Sequence, residues 1–493
     1  VGLISRIKEF IMNILKTHAE KEFNVRIITS ETMEAAQCTW NNIIKGVPYW
    51  LSEDRDIRTI NFAKFLCRYT ARKACLDLKV GISGSDRANY INKCIKAMID
   101  KSIRDKVEDA CGMGGIILKP SGTYNPDGAI DYVMPGSFAV TEKNANGDIL
   151  GVIFIDRITK GNDYYARLEY QHFTDTLFRN EDGNDTTQRV YVIENKAYKS
   201  NNKDSLGRNI QLTDVPEWAG IEPIITVTNV DKPLYAYLKM PGNNTIDYES
   251  PEGVSIFAEC IEELRNLDTA WSMKSNEVED SKHMTFIDEN RISRPDPNQR
   301  GRKKRFSLPR FVQGIKGGVN EGETIHEHVA TLLTTDRIAD INSILSMIST
   351  KAGFSQGQFV LDRNSGQVTA TQIESDDNET IETIQDVRTA LMAAVKSLVY
   401  ALDKYCDIFH EMPSGYVNAL DDDVADEDIF YFRDLLSTFE QDRTRAYQLM
   451  INGVYSKKKY LMEYEGFSEQ EALEMLEEAK SESTDRDKGL FDE

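Results

Sequence analysis

The stretch from Pro251 to Lys282 constrains this chain more than any other. Ile256, Phe257, Cys260, Ile261, Leu264, Leu267 and Trp271 recur at three- and four-residue spacing, which puts them on one face of a helix. Pro251 stands at its front, where a missing backbone N–H is tolerated. At ~1.5 Å per residue such a helix reaches ~45 Å. A second apolar face, Ile338, Ile341, Ile344, Leu345 and Ile348, marks a helix from about Thr335 to Lys351, which Gly353 ends. A short β-like insert rich in Arg, Pro and Gly separates the two, from Met284 to about Val319. Helices of this length carry more apolar face than one copy can bury, so the pattern predicts an oligomer.

The flanking texture predicts an α+β fold that is mostly helical. Residues 1 to about 110 read as helices, with apolar spacing over Phe62 to Leu78 and Tyr90 to Val107, and Gly112-Met113-Gly114-Gly115 breaks the pattern. From Gly115 to about Thr228 come short β-branched and aromatic runs: Ile116 to Leu118, Ile130 to Val133, Gly151 to Ile158, Tyr165 to Phe173 and Arg189 to Glu194. Turn pairs such as Asn146-Gly147 and Asp182-Gly183 separate them, the signature of antiparallel hairpins. After a loop from Ser355 to Val368, a third long helix is expected from Thr369 to Met412. A charged linker, Asp421 to Glu427, leads to short helices over Arg443 to Met450, Lys457 to Tyr464 and Ser468 to Lys480, where Ser468 and Glu471 form a capping box.

With 493 residues the chain exceeds what one core usually serves, so several packed regions follow. Apolar residues at 40% and charged residues at 28% are the balance of a soluble protein. No apolar run approaches the ~20 residues of a membrane span. The segment Gly2 to Leu15, interrupted by Arg6, Lys8 and Glu9, reads as an amphipathic helix docked on its own protein, without the charge-free run of a signal peptide. Seven widely spaced cysteines, Cys38, Cys67, Cys75, Cys94, Cys111, Cys260 and Cys406, contain no CxxC pair and read as reduced thiols.

The formal net charge is −21, and it is unevenly placed. Asp421 to Glu493 holds 21 acidic against 9 basic side chains, whereas Met284 to Ala330 holds nine Lys/Arg against six Asp/Glu. Tight wrapping of DNA works by neutralising phosphates with cations, so this balance argues against it but not against a conduit in which DNA slides.

Several motifs weaken when their geometry is considered. Gly353-Phe354-Ser355-Gln356-Gly357 matches G-x-S-x-G, but the hydrolase elbow joins a strand to a following helix, and here a helix comes first. His326-Glu327-His328 puts two imidazoles on one face of a strand, not the helical face that H-E-x-x-H needs, and no third ligand converges; no metal or cofactor is expected. No Gly-Lys-Ser/Thr triplet exists, which excludes a P-loop motor. Asp421-Asp422-Asp423 lacks the glycine and the Glu of an EF-hand. Arg300-Gly301-Arg302-Lys303-Lys304-Arg305 is the one dense basic cluster; it is either a solvated loop or a contact for phosphates or an acidic partner.

Gly353-Phe354-Ser355-Gln356-Gly357-Gln358-Phe359, then Asp362 and Gly366, then Thr369-Ala370-Thr371-Gln372-Ile373 entering a long helix, resembles the portal proteins of tailed double-stranded-DNA phages, most of all those of long-tailed phages of Gram-positive hosts. That branch reads T-A-T-E-V where this chain has Gln372 and Ile373 at the last two places. Gly253 to Phe257 with Leu267-Asp268 is similar to the family's first stem helix. Gly453 to Lys457 with Glu465 to Ala472 is similar to its crown helices, and the Gly114 to Pro120 turn also fits.

The resemblance implies a portal-type division: wing over residues 1–250 and 369–434, stem helices over 251–283 and 331–352, a small α/β clip over 284–330, a tunnel loop over 353–368, and a crown with a C-terminal tail over 435–493. It implies a ring, usually of twelve copies, at one capsid vertex of the virion, assembled in the host cytoplasm, with no enzymatic activity. The ring would conduct double-stranded DNA during packaging and ejection, without reading its sequence. It would dock the terminase large subunit and later the head–tail adaptor, beside major capsid and scaffolding proteins. Ser355, Gln356, Gln358, Asp362, Arg363, Asn364 and Gln367 would face DNA, and Arg300, Arg302, Lys303, Lys304 and Arg305 would meet a partner or DNA at the clip. Asp362 and Arg363 nearly cancel, so the lining could touch phosphates without trapping them. Two other classes stay open: another head structural (minor capsid) protein, and a serine hydrolase using Ser355.

Overall fold

The computed structural model describes residues 18–478 apart from 55, 180–184, 204, 281–283, 289–311, 316–324, 329–332, 362–377, 409–412, 422, 434, 436–438, 466 and 468–469. The chain divides into two compact units, Val1–Phe432 and Arg433–Glu493. The fold is α+β, with more helix than strand.

The larger unit begins with helices α1 (Glu31–Ile44), α2 (Phe62–Ala74), α3 (Asp86–Lys101) and α4 (Ile103–Met113). Side chains of Ser30, Asn61 and Ser85 cap the first three by accepting the N–H groups of Met33, Lys64 and Ala88. Where periodicity predicts one helix over 90–107, Ser102 splits it in two. Its hydroxyl is held by Met98 O and the Tyr132 hydroxyl, and its backbone leaves the helical region at φ −138°.

The β region follows as expected. Strands β2 (Gly115–Pro120), β3 (Ile130–Val133) and β10 (Ala236–Lys239) form a sheet in the order β10-β2-β3. Strands β4 (Phe138–Lys143), β5 (Ile149–Lys160), β6 (Asp163–Arg179), β7 (Asp185–Ser200) and β8 (Arg208–Ile210) form a second, antiparallel sheet in sequence order, with β9 (Ile224–Val227) also paired to β7. Successive side chains on a strand alternate between faces. Ile153, Ile155, Ala166 and Leu168 therefore pack on Ala19, while Val152 and Phe154 join Ile117, Phe138 and Tyr235.

Helix α5 (Ile261–Asp280) opens after a 3-10 turn at Ala258–Cys260, so Pro251 to Phe257 is not the start of a helix. Backbone donors there are claimed from elsewhere: Gly253 N–H by the Tyr237 hydroxyl at 2.9 Å and Ile256 N–H by Cys111 O at 3.0 Å. With 20 residues α5 spans about 30 Å rather than ~45 Å. Helix α6 (Thr334–Lys351) lies antiparallel to it, because Lys351–Glu263 (2.6 Å) and Arg337–Glu277 (3.1 Å) join opposite ends. Between them β11 (Met284–Asp288) pairs parallel with β12 (Val312–Ile315) and antiparallel with β13 (Ile325–His328). The His326-Glu327-His328 triplet is thus on a strand.

Asp268 ties α5 to the N-terminal helices. Its buried carboxylate accepts Trp50 Nε1–H at 2.9 Å and Ile60 N–H at 3.0 Å, and next to it Ser272 Oγ accepts Arg58 N–H at 2.8 Å. Asp268→Ala is expected to cost about 3 kcal/mol, because it strands two donors that bond a charged acceptor. A urea titration would show this against Arg265→Ala, whose half-exposed pair with Glu53 is worth no more than ~1 kcal/mol.

Helix α7 (Asn378–Ile408) crosses β2 and β10 and packs on α2 and α3. Arg87 of α3 binds Asp403 (3.0 Å) and Asp407 (2.8 Å) near its end. The expected helix start at Thr369 lies outside the described residues. The stretch Asp421 to Glu427 is not a plain linker: Asp421 accepts Asp423 N–H at 3.1 Å and the Tyr416 hydroxyl at 2.8 Å. A helical turn, Asp426–Ile429, then leads into β14 (Phe430–Tyr431), which pairs with β1 (Lys79–Val80).

The smaller unit holds α8 (Phe439–Ile451), α9 (Lys457–Tyr464) and a helix over 470–478. Arg443 and Tyr460 both bind Glu465, at 2.9 and 3.1 Å, which joins α8 to the end of α9. Ser468, and with it the expected capping box, lies outside the described residues. None of the seven cysteines, all of them described, is in a disulfide, and five are buried.

Candidate functional site: the clasped base of the 355–380 segment

The G-x-S-x-G-x-F motif acquires a physical meaning at the end of α6. Gly353 is left-handed at φ +77°, and Phe354 N–H reaches back to Ser349 O at 2.8 Å. This is the bond that closes a helix with a glycine one place past its cap. Phe354 is fully buried.

Ser355 then turns onto the first turn of α7. Its N–H donates to Thr380 Oγ1 at 3.0 Å, and its Oγ accepts from Thr380 N–H at 3.2 Å and from the Thr380 hydroxyl at 3.0 Å. The first N–H groups of a helix have no partner within it, and Ser355 supplies one from across the chain. Thr383 adds a hydrogen bond to Gly353 O. Where the chain leaves this base, Phe359 is enclosed by Phe62 (5.6 Å), Phe65 (5.8 Å), Tyr69 (5.3 Å) and Phe354 (5.4 Å), measured between ring centroids. Most of these meet edge to face, the favoured arrangement. Gln358 Nε2 donates to the Tyr69 hydroxyl at 2.8 Å, and Leu361 N–H to Asn342 Oδ1 at 3.0 Å. Both ends of the segment between Leu361 and Asn378 are therefore pinned to α2, α6 and α7.

The structure describes three of the seven side chains expected to face DNA. Ser355 is only 3% exposed and faces α7, because its hydroxyl is needed at the helix end. Gln358 is turned onto Tyr69. Gln356 is exposed. Asp362, Arg363, Asn364 and Gln367 lie outside the described residues, as do Arg300, Arg302, Lys303, Lys304 and Arg305. A nucleophile elbow holds its serine exposed on a strained turn; Ser355 is buried, and Thr380 engages its hydroxyl. Thr380 and the ring cage around Phe359 escaped the sequence reading. The signal available was a Thr-x-x-Thr pair in the first turns of a long helix, and it names no partner.

Ser355→Ala and Thr380→Val are each expected to cost ~1–2 kcal/mol. The double variant should cost little more than either alone, since both remove the same bonds. Denaturant midpoints of the three variants would show this, and full additivity would refute the clasp.

No family model matches this chain, and no curated protein matches it. Among solved structures it is similar to a chain in the virion of a native gene transfer agent particle, at 11% identity over 86% of this chain and 92% of that one, with a TM-score of 0.35. It is also similar to a chain in the neck of the native particle with C12 symmetry, at 10% identity over the same shares, with a TM-score of 0.33. Similarity at this level decides neither fold nor function.

Proposed function

We propose that this chain is a portal-type subunit of a tailed-phage-like particle, assembling into a ring that passes double-stranded DNA and carries out no reaction of its own. The observation that supports it most is the path from α5 to α7. Two antiparallel helices leave a mixed body and return around a small sheet. The second ends in a pinned base, joined through residues 362–377 to α7, the longest helix among the described residues. That is the order the sequence resemblance implies. A pinned base suits a segment that must stay at one radius while a polyanion moves past it.

On this reading Gln356, Asp362, Arg363, Asn364 and Gln367 are the side chains nearest DNA. The β11–β13 sheet, with Arg302, Lys303 and Lys304 in its connection, is the clip that meets the terminase and the head–tail adaptor. Capsid and scaffolding proteins surround the ring at one vertex of the virion. Negative-stain images of the purified protein should show rings with a central hole, twelve-fold when averaged. A stable monomer at working concentration would overturn the reading. A copy number far from one ring per particle would favour a minor capsid component instead. Replacing Arg302, Lys303 and Lys304 together with Glu should impair packaging or adaptor docking while rings still form.

A further inference from the structure

A cleft of about 610 Å³ opens between the two sheets, lined by β3, the loop that follows it, β5 and β6. The volume falls in the ~300–1,000 Å³ range of ligand sites. A buried lysine and a part-buried arginine form its floor. Lys119 is 6% exposed; its ammonium lies over the Phe154 ring (4.6 Å) and donates one hydrogen bond, to Glu169 Oε2 at 2.6 Å. An ammonium carries three donors, so two are unfilled. Arg167 uses one guanidinium nitrogen, on Glu169 (3.0 Å) and Asn195 (3.1 Å); a second lies 3.7 Å from Asp156, beyond hydrogen-bond reach. Glu169 Oε2 is shared by Lys119 and Arg167, and its other oxygen accepts from Gln171 Nε2–H. Lys119, Arg167 and Glu169 together carry a net single positive charge, and the buried Arg167 Nε has no hydrogen-bond partner among the described residues; a buried donor is costly unless an acceptor meets it.

The rim has the opposite need. Asp131 stands across from Lys119 in the β2–β3 register and makes no hydrogen bond or ion pair among the described residues. Asp156 already holds Trp218 Nε1–H at 3.1 Å. These acids repel a bare anion but accept a donor. β3 is the last strand of its sheet, so its outer edge has no strand partner among the described residues.

We infer that this cleft receives an acidic residue of an extended segment from a partner chain, its carboxylate on Lys119 and Arg167 and a main-chain N–H on Asp131. The segment lies along the free edge of β3, where main-chain bonds supply affinity and the buried carboxylate supplies selectivity. A free dicarboxylate offers the floor its anion but offers Asp131 no donor, which is why a peptide is the fitting occupant. The inference is independent of the ring reading.

Calorimetric titration of the full chain with three probes tests it: acetyl-Thr-Glu-Thr-amide, its Gln counterpart, and glutarate. The Glu peptide should bind saturably, at least ~10-fold more tightly than the Gln peptide, the effect of one charge-assisted bond. Glutarate should bind more weakly than the Glu peptide. Asp131→Ala should weaken the Glu peptide, by removing the acceptor for its main-chain N–H, and should tighten glutarate, by removing a carboxylate that repels it. Absence of saturable binding, equal binding of the Glu and Gln peptides, glutarate as the tightest probe, or no effect of Asp131→Ala would each overturn the proposal.

Discussion

Glu169→Ala should destabilise the larger unit by about 3–5 kcal/mol, because it takes from the buried Lys119 its one hydrogen-bonded counter-charge and from the part-buried Arg167 its nearest one. The same carboxylate makes stability depend on pH. Burial alone would raise its pKa, but the Lys119 and Arg167 charges and the bonds from Lys119 and Gln171 outweigh that and hold it at about 2. A folded-state pKa below the unfolded value of ~4.3 contributes stability that is complete above about pH 5 and is lost as pH falls toward 2. The two-unit depression corresponds to about 3 kcal/mol at neutral pH. Urea midpoints of wild type and Glu169→Ala between pH 7 and pH 3 should therefore converge as the acid limb is descended. A constant gap would refute the assignment. Lys160→Ala, at the exposed pair with Glu217, should change the midpoint little at any pH.

Gly114→Ala is expected to be comparably damaging, by a backbone route. Gly114 ends α4 in the left-handed region at φ +84°, and a Cβ there would run into Gly253 O and the neighbouring Val254 N. Gly253 has the reciprocal problem, since its own Cβ would meet Gly114 O. The two glycines let the end of α4 and the approach to α5 cross at backbone contact. Left-handed strain alone is worth ~1–3 kcal/mol, and the collision adds to it because carbonyl and amide atoms cannot rotate away as a side chain can. The displaced segment would also strain the 2.9 Å bond from Gly253 N–H to Tyr237 and the 3.0 Å bond from Ile256 N–H to Cys111. Gly147→Ala is the control, because its Cβ would enter open space in a hairpin turn at similar φ, +86°. If Gly114→Ala and Gly147→Ala lowered the thermal midpoint equally, the crossing would not be the cause.

Amphipathic period alone was enough to place α2, α6 and most of α5, and β-branched and aromatic runs between turn pairs were enough to place β5, β6 and β7. In each the pattern is carried by side chains within one element. Gly353 was legible as a helix stop for the same reason: the left-handed residue and the carbonyls it serves lie within one turn. The failures have a different character. Pro251 to Phe257 has the composition of a helix start, yet Cys111 and Tyr237, far off in sequence, take the N–H groups a first turn would use. Ser102 interrupts a good helical period because Tyr132, on a strand, holds its hydroxyl.

Ser355 is the sharpest case for function. The sequence by itself determined that a small, conformationally special loop stands between two helices, and the resemblance of that loop assigned it a place beside DNA. Only the tertiary structure decided that Ser355 turns inward onto Thr380. Thr380 lies 25 residues away, and whether a serine hydroxyl faces solvent or closes a helix end depends on where that helix starts in space. Lys119, Arg167 and Glu169 teach the same lesson. Lys119 is an ordinary charged residue on β2, as are Arg167 and Glu169 on β6, and packing the two sheets against each other turns them into a site with donors to fill.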